Sequence, residues 1–247
     1  MGEGVRVLSL EFEGLAVDEA LARARGMIAA GRGARVYTPN AEMALHAYRS
    51  AAFSDLLARA DLLLPDGVGV TAAARLAGVR LARIPGIDFA ERLLACAPQR
   101  GYRLYLLGGA PGVAVRAARV LSIRYPRVTV CGARDGFFSR DEEGAVCDAV
   151  AAAKPDILFV CLGSPKQEEF IERHRPPCLA IGLGGALDVW AGDKRRAPTF
   201  VRRMGGEWLF RIACEPKRIA RAAALPAFAL RVLFDRRART TKCQGRN

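Results

Sequence analysis

The sequence has only two histidines, His46 and His174, and none of its seven cysteines pairs with another at CxxC spacing. A zinc site of clustered His and Cys is therefore not expected. Cys96, Cys131, Cys147, Cys161, Cys178, Cys214 and Cys243 are odd in number and scattered, several within apolar runs. They suit reduced packing residues of a cytosolic protein better than a disulfide framework. The GxSxG nucleophile elbow, the P-loop, HExxH and a DxD pair of metal-binding acids are all missing. The start, MGEGVRVLSLEFEGLAVDEA, has acids within its apolar run and no basic lead, so no signal peptide is expected. It also lacks the Ser or Thr that a myristoylation signal places after its glycine. No internal repeat points to a solenoid. In the C-terminal segment the longest uncharged run, Ala222–Leu230, is nine residues and contains Pro226. That is far short of the ~20 apolar residues that span a bilayer.

What is present is a chain of 247 residues, 51% hydrophobic, long enough for one large α/β domain or a domain with an appendage. Its charge is uneven. Lys194 to Asn247 holds fifteen Lys or Arg against Glu207, Glu215 and Asp235, a net +12 out of +13 for the whole chain. A basic tail on a nearly neutral body suits an anionic partner, although a solvated Arg-rich tail has the same composition.

Short apolar or β-rich runs predict strands at Val5–Phe12, Arg35–Tyr37, Asp61–Leu64, Tyr102–Leu107, Val128–Cys131, Asp156–Leu162 and Cys178–Leu183. Helical patterns fall between them, at Val17–Ala30, Ala41–Tyr48, Phe53–Ala58, Val68–Leu76, Ile87–Ala97, Pro111–Tyr125, Arg140–Ala153 and Pro165–Arg173. This alternation predicts an α/β fold, a Rossmann-like parallel sheet with helices on both faces, followed by a basic helical C-terminal appendage. The expected division is a catalytic domain over residues 1–194 and an appendage over 195–247.

Ligands of such sheets bind beyond the carboxyl ends of the strands. Five strand ends carry small, polar or glycine-rich segments: Thr38-Pro39-Asn40, Pro65-Asp66-Gly67, Gly108-Gly109-Ala110-Pro111-Gly112, Gly163-Ser164-Pro165-Lys166-Gln167 and Gly184-Gly185-Ala186-Leu187-Asp188. Each has a structural explanation beside a functional one. Asp66, in LLLPDGVGV, suits turn chemistry as well as catalysis. Asn40 is the natural cap of the helix that follows it. Gly108 and Gly109 precede a helix with Pro111 in its first turn, where free N–H groups suit a phosphate, yet the pattern is not GxGxxG. Ser164 is expected to cap a helix opened by Pro165, with Gln167 at capping-box spacing. Lys166 is left without a structural duty and suits an anion, as does Arg83 in RIPGIDFAERL. His46 is expected to be packed rather than catalytic.

In the tail, Trp208, Leu209, Ile212, Ile219, Leu225, Phe228, Leu230, Leu233 and Phe234 supply apolar surface among cations. Arg211, Arg218 and Arg221 stand at offsets of seven and three, one face of a helix if it runs through Pro216. A basic, aromatic-bearing amphipathic segment suits an anionic membrane surface, and equally a helical subdomain packed on the body. Three other classes remain. A Rossmann-type oxidoreductase wants a dinucleotide fingerprint that is absent. A nucleic-acid-binding protein would use the basic tail, which matches no nucleic-acid motif. A membrane scaffold without catalysis would leave the rim of polar strand ends unexplained.

Taken in order, YTPNAEM, LLPDGVGV, RIPGIDF, LYLLGGAPGV, DGFF, LGSPKQE, GLGGALDVWAG, KRRAP and EWLFRIACEPKRIAR resemble the WecG/TagA/CpsF family of bacterial glycosyltransferases, from about Val5 to Arg221. The resemblance implies an inverting, metal-independent transfer from a UDP-sugar to a polyprenyl-diphosphate-linked saccharide, in wall-polymer or surface-polysaccharide synthesis. It implies no cofactor. It places Thr38, Asn40, Asp66, Arg83 and Gln167 around the reacting sugars, with Asp66 as general base. Phe137, where the family usually has Tyr, and Asp188 match positions that hold the uridine. Arg211, Arg218 and Arg221 match appendage arginines near the diphosphate. The donor sugar, among N-acetylmannosamine, its uronic acid, glucose and other hexoses, is not readable. The implied partners are the UDP-sugar, the lipid-linked acceptor and an anionic membrane surface on the cytoplasmic side. Nucleic acid is not among them, and a homo-oligomer is compatible.

Overall fold

The structure is a computed structural model that describes residues 4–214, 224–234 and 241–243. Its centre is a six-stranded, wholly parallel sheet in the order β4-β3-β8-β7-β5-β6. The strands are β3 (Ala34–Tyr37), β4 (Leu62–Leu63), β5 (Tyr102–Gly108), β6 (Val128–Arg134), β7 (Ile157–Cys161) and β8 (Leu179–Gly182). Successive side chains point to opposite faces, so both faces of the central strands need apolar residues. Leu104, Leu106, Ile157, Phe159 and Ile181 join the core of one face, and Tyr105, Leu107, Leu158, Val160 and Ala180 that of the other.

The first face is covered by α1 (Val17–Ala29), α5 (Gly86–Ala95), α6 (Val113–Arg124) and α9 (Ala186–Trp190). The second is covered by α2 (Ala41–Arg49), α3 (Ala51–Ala58), α4 (Val68–Leu76), α7 (Glu143–Ala153) and α8 (Lys166–His174). Helices therefore lie on both faces, the Rossmann-like arrangement expected from the alternation.

The segment Val5–Phe12 departs from its expected form. It is not one strand and not part of the parallel sheet. Leu8 takes a positive φ of 54° and turns the chain back, so β1 (Gly4–Val7) and β2 (Leu10–Phe12) form an antiparallel hairpin. Alternation still buries Val5, Val7, Leu10 and Phe12 on the second face. A third strand, β9 (Thr241–Cys243), pairs with β1 and completes a small separate sheet.

Beyond α9 the described chain forms α10 (Thr199–Arg203), α11 (Glu207–Cys214) and α12 (Ala224–Phe234). The last of these packs on α2 and α4. Its Phe228 is buried in the second core with Leu225 beside it, a burial that contributes about 2 kcal/mol or more. His46 is exposed rather than buried, its ring stacked on Phe53 at 4.4 Å.

Candidate active site

Neighbouring strands that send their following helices to opposite faces leave a crevice at their carboxyl ends. From β3 onward every neighbouring pair does this: α2 and α9 diverge after β3 and β8, α9 and α8 after β8 and β7, α8 and α6 after β7 and β5, and α6 and α7 after β5 and β6. The polar strand ends of the sequence meet along this rim.

On the β3 side, the Asn40 side chain accepts from the Met43 N–H at 3.0 Å and caps α2. Asp66 follows β4; its N–H donates to the Pro39 carbonyl at 3.0 Å, tying two strand ends together. Its carboxylate Oδ2 accepts from the Gly86 N–H at 3.5 Å. Gly67 takes φ 97°, a conformation that favours glycine, and lets the chain turn from Asp66 straight into α4. Ile84 N–H donates to the Pro65 carbonyl, which brings the half-buried Arg83 to the same corner. Thr38 sits between: its hydroxyl donates to the Gly182 carbonyl at 3.4 Å, and a Cβ on Gly86 would lie 2.8 Å from Thr38 Oγ1. Any side chain at the start of α5 would have to displace Thr38.

On the β7 and β8 side, Gln167 is buried at 4% exposure and Glu168 at 0%. The Gly184 N–H donates to Gln167 Oε1 at 2.8 Å, and Gln167 Nε2 donates to Glu168 Oε1 at 2.6 Å. A Cβ on Gly182 would lie 2.9 Å from Gln167 Nε2. Gly182 thus touches Gln167 on one side and accepts from Thr38 on the other. Burial pushes the Glu168 carboxyl up to about 7, against the pull of hydrogen bonds from Gln167 and Ser164. Two sequence expectations need correction here. The capping of α8 by Ser164 is not formed: the helix starts at Lys166 with no side-chain cap, and the Gln167 side chain turns to Gly184 instead of back to the helix start. Likewise Pro111 stands outside α6, which opens at Val113 after Gly112 in the left-handed region.

The other half of the rim gathers around β5. Gly108, at φ 131°, passes so close to β7 that a Cβ would collide with the Cys161 carbonyl oxygen. Gly109 N–H donates to that oxygen at 3.3 Å, and Gly136 N–H donates to Gly109 O at 2.9 Å. The DGFF loop is thereby pinned to the glycine loop. An Asp135 carboxylate oxygen accepts from the Phe137 N–H at 2.9 Å, leaving the Phe137 ring 74% exposed beside the loop. Phe138 turns inward onto Phe170. Asp188, on α9, is half-buried and paired with Lys194 at 3.7 Å. It lies near enough to Cys161 to join burial in pushing that thiol up to about 12. Lys166 is exposed at the start of α8. Arg196, from KRRAP, donates to Asp88 at 2.6 Å and ties the chain after α9 onto α5.

Arg211 lies on α11, whereas Arg218 and Arg221 lie outside the described residues. Among the described residues no group of three or more His, Cys, Asp or Glu is placed to hold a metal ion. A cavity of about 430 Å³ lies elsewhere, between β2, α3 and the amino end of β4.

Glu168 is the residue that reasoning from sequence missed. Gln167, Phe170, Ile171 and His174 mark the inward face of α8 at helical spacing, and Glu168 stands three residues before Ile171 on its flank. An acid in a first turn is ordinarily explained by the helix dipole, and that hid its burial.

Comparison with known proteins identifies the family. The family model for "Glycosyl transferase WecG/TagA/CpsF family" matches residues 5–242. The N-acetylglucosaminyldiphosphoundecaprenol N-acetyl-beta-D-mannosaminyltransferase of Bacillus subtilis (strain 168) is 36% identical over 213 residues, covering 85% of this chain and 82% of the relative. Proteins of the same name from Bacillus spizizenii and Staphylococcus aureus (strain NCTC 8325 / PS 47) are 36% and 33% identical. They cover 84% and 82% of this chain, and 81% and 80% of their own. With its parallel-sheet body, its rim of strand-end residues and this match over nearly its whole length, the chain belongs to the WecG/TagA/CpsF family and is a glycosyltransferase.

Proposed function

We propose that the chain transfers N-acetylmannosamine from UDP to a polyprenyl-diphosphate-linked N-acetylglucosamine, with inversion and without a metal ion. The supporting observation is the convergence of Asp66, Thr38 and Gln167 through the close-packed glycines Gly86 and Gly182. The names of the three relatives support the donor and acceptor.

In this reading Asp66 takes the proton from the acceptor hydroxyl as that oxygen attacks the anomeric carbon. The bond from that carbon to the UDP oxygen breaks, and UDP leaves with the electron pair. Thr38, Asn40, Arg83 and Gln167 hold the two sugars. Phe137 stacks on the uracil, and Asp188 accepts hydrogen bonds from the nucleoside. The diphosphate lies at the Gly108–Gly109 loop and the start of α6, with Lys166, Arg211, Arg218 and Arg221 countering its charge.

Residues 195–247 act as an appendage that brings the body of residues 1–194 to the membrane. No helix among the described residues is long and apolar enough to cross a membrane. Phe200 (68%) and Met204 (72%) on the α10 side, with Trp208 and Leu209 on α11, expose apolar surface in a strongly basic segment. That combination suits an anionic lipid surface.

The test is UDP release from a panel of UDP-sugars in EDTA, with and without a polyprenyl-diphosphate-N-acetylglucosamine analogue. Release from UDP-N-acetylmannosamine that depends on the acceptor is expected. Release from another donor alone would reassign the sugar, and failure to bind UDP at all would end the transferase assignment to this rim.

A further inference from the structure

The Gln167 amide is gripped at both ends. Turned over, it would set its NH2 group against the Gly184 N–H and its oxygen against the Glu168 carboxyl. Glu168 and the Gly184 N–H together decide which end of the amide faces which way. The cost of Glu168 is plain: the side chain is fully buried, and its Oε2 has no hydrogen-bond partner among the described residues. A buried carboxyl with an unsatisfied oxygen destabilises the fold relative to an apolar side chain of similar size. Packing alone would be served better by Leu, so the acid needs another reason.

We propose that Glu168 is a positioning residue for sugar transfer: its buried carboxyl locks the Gln167 amide so that the second Nε2 N–H is presented to the reacting sugars. The inference rests on the transferase reading above. Gly182 makes the lock compact, because its missing side chain lets Gln167 Nε2 and Glu168 Oε1 lie against β8 directly behind Thr38. The charged and titratable groups around Glu168 are few. Glu169 on its own helix and Tyr37 on β3 act on it directly, whereas Glu172, Arg35 and Asp61 act on Tyr37, and Arg59 pairs with Glu172. The strands β7 and β8 turn only apolar side chains and Gly182 toward it. The Tyr37 hydroxyl is also buried without a hydrogen-bond partner among the described residues, and burial followed by the Glu168 charge raises its pKa. A charge-assisted bond is roughly twice as strong as a neutral one, so ionisation of Glu168 tightens the lock.

The test is a double-mutant cycle on the full chain. Glu168→Leu is expected to lower kcat roughly 10- to 100-fold, the range for loss of an outer orienting partner, with the KM for the UDP-sugar unchanged. In a Gln167→Ala background the same change should cost less than about twofold; independent, multiplying losses would overturn the proposal. Should Glu168→Leu not fold, Glu168→Gln carries the test. It keeps an acceptor oxygen, so it should retain activity yet lack the rise in kcat expected of wild type across about pH 6–8. Identical pH profiles would overturn the proposal. The nitrogen-15 resonance of the Gln167 side-chain amide, followed from pH 5 to 9, reads the lock without turnover. A titration present in wild type and flat in Glu168→Gln, with no acceptor-dependent UDP release, would sink the transferase reading and leave the lock. Transfer with no such titration would sink the lock alone.

Discussion

Asp66 Oδ2 lies 3.5 Å from the backbone nitrogen of Gly86, the first residue of α5. That contact is at the long limit of hydrogen bonding, so by itself it orients the carboxylate rather than clamping it. Asp66→Asn keeps the shape and the acceptor oxygen but removes the base. Turnover is expected to fall at least ~100-fold, the lower range for loss of a general base, while UDP affinity measured by calorimetry stays within about twofold. Near-normal turnover would take Asp66 out of the mechanism.

Two glycines make opposite demands. Gly86→Ala would press a methyl group against both branches of Thr38 and against Leu183, side chains rather than backbone. It is expected to cost activity first and stability little. Gly108→Ala meets the Cys161 backbone and a φ of 131° that side chains rarely adopt, so it is expected to cost roughly 2–4 kcal/mol through strain and overpacking. Urea midpoints set beside turnover separate the two; equal losses of stability would contradict the difference in their surroundings.

Glu168 also gives the fold a pH dependence. Its folded pKa, about 7, is above the ordinary carboxylate value because burial disfavours the charge. Between about pH 4.5 and 7 the folded chain therefore binds more proton than the unfolded chain, and stability declines as pH rises. The decline approaches 3 kcal/mol in order of magnitude. Glu143 and Glu172 act the other way. Their pKa values are lowered because ion pairs and hydrogen bonds outweigh burial, through His174 and Arg173 for the first, and Arg59, Arg35 and Arg175 for the second. Their contribution is lost as pH falls below about 4.5. Maximum stability is expected near pH 5. In Glu168→Gln, urea unfolding should show no decline from pH 5 to 7; a decline as steep as wild type would assign it to another group.

Because α12 packs Phe228 into the body, cutting the chain near residue 194 would strip the cover from α2 and α4 and confuse docking with folding. Point changes on the exposed face avoid this. Trp208→Glu with Leu209→Glu is expected to lower co-sedimentation with anionic vesicles several-fold and to leave thermal stability within about 1 kcal/mol, since both side chains are exposed. Undiminished binding would place the membrane contact elsewhere.

The parallel sheet was legible because its central strands are buried on both faces and read as continuous apolar runs. The Asn40 cap was legible because capping is local chemistry. The hairpin at Leu8 was not: no Gly, Asn or Pro marks the turn, and a leucine occupies the positive φ. The five-residue α9 was hidden in GGALDVW, too short for a helical period to register. At the site, the strand-end residues could be listed from sequence, but their grouping could not. Gln167 is paired by tertiary contacts with Gly184 and its own neighbour, and these override the local capping signal that Ser164 and Gln167 carry in the sequence.

The pairing of Gly4–Arg6 with Thr241–Cys243 has a consequence for how the protein is made. Synthesis delivers the N-terminal hairpin first, and the outer edge of β1 then waits for more than two hundred residues to be added. An edge with unpaired N–H and C=O groups is a template for any passing strand, and pairing across so long a separation forms late. The nascent chain therefore carries an open seam until residues 241–243 have left the ribosome. Another molecule emerging from the same polysome could fill that seam, so crowding of nascent chains is when this fold is most exposed to misassembly.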